Sequence, residues 1–156
     1  MELGGLPLHF LVVHAAVVFA PLASGAAVVF AVVPRWRWLT RWPALVIGLV
    51  AVGSVVTARL SGHDYLNSHP ELAPIVKVHE SRGDLLMWIT IGFGVVLLVA
   101  IWMLGSSTPL PSGKGGRESA LPAADTVLAA VLVLTALAVL VQVILTGDAG
   151  SRAVWG

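Results

Sequence analysis

The chain contains no cysteine, which excludes disulfides, thiolate metal ligands and a cysteine nucleophile. Charge is scarce as well. Only 11% of the 156 residues are charged, against 58% hydrophobic, and that is too little polar surface to cover a soluble globule of this size. No block of basic residues suits nucleic acid, and a formal net charge of +1 singles out no partner. Hydrolase and nucleotide-binding motifs are missing too. There is no G-x-S-x-G elbow and no dinucleotide fingerprint. The stretch HESRG, His79 to Gly83, has glycine where a zinc protease needs its second histidine. GKGG, residues 113–116, lacks the spacing and the following Ser or Thr of a phosphate loop. Whether the protein is an enzyme is left open by the sequence; if it is, redox chemistry is the expectation.

What the sequence does contain is long uncharged runs. No charge lies between Glu2 and Arg35, Arg41 and Arg59, Asp84 and Lys114, or Asp125 and Asp148. About 20 apolar residues carry a helix across a hydrocarbon core of about 30 Å, and a chain in lipid must satisfy its own backbone hydrogen bonds. The runs are too long and too uniform for the alternating strands of a barrel. The spacing therefore predicts an all-α integral membrane protein, an antiparallel bundle of four transmembrane helices over about 6–33, 43–60, 79–104 and 125–146, forming a single domain. The first run has no Lys or Arg ahead of it and is too long for a signal peptide, so it reads as a retained helix. Pro7 suits its start, and Pro21 is a point where it can kink. Ala16, Ala20 and Ser24 form a ridge of small residues on which a neighbour can pack closely.

Between the spans lie PRWRWLTRWP at 34–43, a polar connection at about 60–84, and a Gly-, Ser- and Pro-rich flexible link at about 105–122. No internal repeat stands out. Four spans place the first and third connections on one side, and both termini with the 60–84 connection on the other. The first side has five Lys or Arg and the second four. Three of the five stand together with three tryptophans at a span end, where the positive-inside rule acts. This orients the first and third connections toward the cytoplasm, in the inner (plasma) membrane, and places the termini and the 60–84 connection outside it.

All five histidines, His9, His14, His63, His69 and His79, fall on that outer side, together with Glu2, Asp64, Glu71, Glu80, Asp84 and Asp148. Imidazole and carboxylate are what transition metals accept when thiolates are lacking, and two imidazoles can hold a haem iron. A polar side chain inside the bilayer needs a partner, and His14 lies about 7–12 Å into its helix. His9 and His14 point about 140° apart, so the pair does not chelate one ion unless the helix begins after His9. The expected site is therefore His14 and His79 as cofactor ligands, with Asp148, His63 and Asp64 completing a metal shell. Each has a plainer reading. His14 and His79 could equally be hydrogen-bond partners between helices, and His63 and His69 solvated loop residues.

Three stretches, LPLHFLVVH (Leu6 to His14), HESRGD (His79 to Asp84) and TGDAGSRAVWG (Thr146 to Gly156), resemble the bacterial membrane proteins grouped as domain of unknown function 2231, in an actinobacterial-type branch. The resemblance implies a four-helix membrane domain with histidines near one face, and redox work, since relatives are joined to Rieske-type or cytochrome-type domains. Two departures stand out: Ala16 where many members have proline, and Asp148 where many have histidine. The functional expectation is binding of a transition metal or haem for electron transfer or metal handling, with the lipid bilayer and a redox partner protein as surroundings. The alternative is a non-catalytic subunit whose polar face docks a partner. A proton-coupled carrier is disfavoured, because no ionisable residue lies in the cytoplasmic half of any span.

Overall fold

The computed structural model describes residues 2–3, 6–108, 110 and 112–156. It is an all-α four-helix bundle. Helix α1 is Leu8–Val32, α2 Arg37–Ser68, α3 Ala73–Met103 and α4 Asp125–Trp155. A pair of two-residue strands, Glu2–Leu3 and Leu6–Pro7, precedes α1. Each helix is long and apolar enough to cross a membrane, as a multi-pass membrane protein requires. Helix α1 packs on α2 and α4, and α3 packs on α4 and α2, so the chain runs around a square of antiparallel neighbours.

The packing face of α1 is nearly all alanine. Ala16, Ala20, Ala23, Ser24 and Ala27 are buried, and side chains this small let neighbouring backbones close in where lipid provides no hydrophobic drive between helices. Larger groups from the other helices fill the space: Phe93 and Leu97 from α3, Leu132 and Val139 from α4. Leu, Val and Trp face outward, including Val46, Trp88, Leu134 and Ile144, the reverse of a soluble bundle and the arrangement lipid favours.

The helices extend past the apolar runs. The polar segment 60–84, expected as a connection between spans, continues α2 to Ser68 and starts α3 at Ala73, leaving only a turn around Pro70–Leu72. Likewise α4 continues to Trp155, past the expected end of the fourth span at about 146. A helix satisfies its own backbone in water as in lipid, so the apolar boundary does not end it.

At the opposite end Arg37 is buried and holds the corner together. It donates to the carbonyls of Phe30 (2.9 Å) and Ala31 (2.7 Å) at the end of α1, and to Gly105 (2.8 Å) just beyond α3. The first two are carbonyls that the end of α1 leaves without helical partners. The link, expected to be flexible, closes on itself through paired Ser106–Arg117 backbone bonds of 2.9 Å.

Candidate functional site

The start of α1, the end of α2, the start of α3 and the end of α4 meet at one end of the bundle, and two histidine rings come together there. His9 Nδ1 lies 3.0 Å from the Ala58 carbonyl of α2. His79 Nδ1 lies 3.0 Å from the Thr146 carbonyl of α4. A carbonyl only accepts, so each ring donates from Nδ1, and in the neutral imidazole Nε2 is then the nitrogen with the free lone pair. A ring nitrogen donating to a backbone carbonyl is how proteins set the tautomer and orientation of a metal-binding histidine. The two ring centroids are 6.4 Å apart, with planes at 78°.

The same device is built twice. Four residues beyond each accepting carbonyl stands a glycine, Gly62 after Ala58 and Gly150 after Thr146, one turn further along the same helix. A Cβ on Gly62 would come 2.9 Å from His9 Cε1, and one on Gly150 would come 2.9 Å from His79 Nδ1. Only hydrogen fits between helix and imidazole at these positions. Each helical hairpin thus supplies one histidine from its first helix, and one carbonyl and one glycine from its second. The α3–α4 hairpin is held further by Gln142 Nε2 and Thr146 Oγ1, which both donate to the Arg82 carbonyl, at 3.1 and 3.2 Å.

Beside the two rings lies a cavity of about 570 Å³, within the range of cofactor sites. Its walls are mostly apolar, with Phe10, Val13, Val55, Leu66, Ile75 and Val143 among them, and both imidazoles line it. Arg59 and Glu80 supply its charge. Arg59 pairs with Asp84 and with Glu80, the latter at 3.5 Å, and its side chain is only 19% exposed. A run of aromatic contacts leads away from the pair. Phe10 meets His9 at 6.0 Å and Tyr65 at 5.8 Å, and Tyr65 stacks on His69 at 4.4 Å.

The other expected site residues lie elsewhere. His14 is exposed, its Nδ1 bonded to the Phe10 carbonyl of its own helix at 2.6 Å, and it does not line the cavity. His63 is exposed, 3.9 Å from the Glu80 carboxylate. Asp64 is exposed. Asp148 accepts from Arg152 at 2.9 Å on the outer surface of α4. Among the described residues no three His, Asp or Glu side chains converge as a metal site, so the five-residue shell of His14, His79, Asp148, His63 and Asp64 does not assemble. The imidazole opposite His79 is His9. Its position was readable in outline, since His9 stands seven residues before Ala16, two turns along the buried ridge.

No protein-family model, curated protein or solved structure matches the chain.

Two imidazoles are too few for a closed zinc site, which takes four ligands. They are sufficient for an iron that brings its own equatorial donors and asks the protein only for axial ones.

Proposed function

We propose that this is a multi-pass membrane protein of the inner (plasma) membrane that holds a haem between His9 and His79, and passes electrons to a redox partner protein at that end of the bundle. The observation that carries the reading is the spacing of the two rings. With a metal–nitrogen bond of about 2.0 Å and about 1.2 Å from ring nitrogen to centroid, two imidazoles on opposite sides of one metal stand about 6.4 Å apart. The separation of His9 and His79 is 6.4 Å.

Further support comes from the surroundings. Both Nδ1 protons are already committed to carbonyls, so Nε2 is the nitrogen each ring offers to a metal. The apolar cavity suits the porphyrin face. With no cysteine in the chain, attachment would be through the axial ligands and packing alone, without thioether bonds. When bound, the group supplies one-electron chemistry. The Ala58 and Thr146 carbonyls orient the two rings that would hold it. The excess of Lys and Arg on the side of the first and third connections supports placing the histidine end outside the cytoplasm.

The test is purification after expression with haem supplied, followed by a pyridine haemochrome assay. One haem per chain is expected, with near-complete loss in His9→Ala and in His79→Ala and retention in His14→Ala. Protein that is folded yet takes up no haem, or that keeps it when both histidines are replaced, would overturn the proposal. A second reading, a subunit that docks a partner without carrying a cofactor, draws on the acidic excess at the histidine end, six Asp or Glu against four Lys or Arg. It predicts that the His79 variant loses a co-purifying protein rather than a chromophore.

A further inference from the structure

The opposite end of the bundle carries a different, unsatisfied group. Arg37, Arg41 and Arg117 gather there, and two of them are tied down. Arg37 donates to three carbonyls, and Arg117 donates to the carbonyls of Ile101 and Trp102 at the end of α3. Arg41 is held differently. Its guanidinium carbon lies 5.3 Å from the ring centroid of Trp42 on α2 and 5.3 Å from that of Trp102 on α3, within the range of cation–π attraction. Its Nε is buried and has no hydrogen-bond partner among the described residues. The nearby acids do not serve it: the Asp125 carboxylate accepts from Ser119, and Glu118 is exposed in the link.

A guanidinium presents five donors in a planar fork that matches the oxygens of a phosphate. Two indoles hold this one in place at a depth where tryptophan marks the membrane interface. The end as a whole is cationic, with five Lys or Arg against two Asp or Glu. We infer that Arg41, flanked by Trp42 and Trp102 and with Arg117 beside Trp102, binds the phosphate of an anionic phospholipid headgroup. The indoles orient the fork, and the link arginine adds charge without giving up its carbonyl bonds. A free phosphate offers the same oxygens. The acyl chains of a lipid would in addition lie along the outward-facing Leu39, Val46 and Trp102. The site is independent of what His9 and His79 hold.

The test uses the full chain, delipidated in a zwitterionic detergent and titrated with phosphatidylglycerol, phosphatidylcholine or inorganic phosphate, with bound lipid counted by native mass spectrometry. Phosphatidylglycerol is expected to bind more tightly than phosphatidylcholine. Arg41→Gln should weaken phosphatidylglycerol about five-fold, the contribution of one interfacial cation. Arg41→Lys, which keeps the charge and loses the fork, should fall between. Arg35→Gln removes an exposed arginine of the same segment and should change binding less than two-fold. Equal losses in Arg35→Gln and Arg41→Gln would reduce the effect to general surface attraction and overturn the site. Unchanged binding in both Arg41 variants would also overturn it, and displacement of the lipid by millimolar inorganic phosphate would overturn the lipid assignment. If Arg41→Gln fails to fold, the Arg41→Lys comparison with Arg35→Gln decides the matter.

Discussion

Replacing Gly62 with alanine tests the close approach of α2 to the His9 imidazole. The new Cβ would lie 2.9 Å from Cε1 and 3.1 Å from Nδ1, so the ring must move by several tenths of an ångström, and its 3.0 Å bond to the Ala58 carbonyl must lengthen or break. Overpacking of this kind costs about 1–3 kcal/mol, and the lost hydrogen bond about 1 kcal/mol. Alanine in a helix recovers about 1 kcal/mol of propensity. Gly53→Ala on the same helix provides the control, because nothing lies within 4 Å of its Cβ position and only the propensity gain applies. The propensity contribution cancels between the two variants. Gly62→Ala should therefore be less stable than Gly53→Ala by about 2–4 kcal/mol. Melting of the detergent-solubilised protein, which shifts by about 2–4 °C per kcal/mol at this size, reads the difference. Imidazole ¹⁵N shifts should show His9 losing its preference for the Nδ1–H tautomer. Equal melting temperatures with an unchanged His9 tautomer would refute the proposed packing of ring against glycine.

Other predictions follow from the same geometry. Gly150→Ala should act on His79 as Gly62→Ala acts on His9, since its Cβ would meet Nδ1 at 2.9 Å; ¹⁵N shifts of the His79 ring check this. Arg37→Met should destabilise the bundle by about 3 kcal/mol or more, because carbonyls of Phe30, Ala31 and Gly105 lose a charged donor in a buried corner; thermal melting measures it. Asp148→Asn removes an exposed pair with Arg152 and should leave both melting temperature and haem content unchanged, as exposed ion pairs contribute little.

The spans were legible in the sequence because lipid excludes charge, and each long gap between charged residues became a helix through the membrane. Helix ends were not legible in the same way. Residues such as His63, Asp64 and Lys77 are polar yet helical, since hydropathy reports where lipid stops and not where backbone hydrogen bonding stops. The gathering of the histidines at one end was readable from topology, but the choice between His9 and His14 was not settled by depth. It depends on rotation about the helix axis, and the ridge of Ala16, Ala20 and Ala23 carries that information. The two glycines carry no signal in the sequence because each acquires its meaning only from an imidazole on another helix, 53 positions away for Gly62 and 71 for Gly150. The role of Arg37 was hidden for a similar reason: its neighbours Arg35 and Arg41 do belong to the membrane interface, and composition does not distinguish the one that turns inward.

If His9 and His79 hold one haem iron as proposed, the two imidazole planes that would bind it are nearly crossed, at 78°. Electron paramagnetic resonance of the ferric, haem-loaded protein tests this most directly, because crossed imidazole planes give a strongly axial low-spin signal and parallel planes a rhombic one. Wild type is expected to give the strongly axial low-spin signal, and that signal is expected to disappear along with the haem when either histidine is replaced by alanine. A high-spin wild-type spectrum, or a low-spin one that survives both replacements, would contradict it.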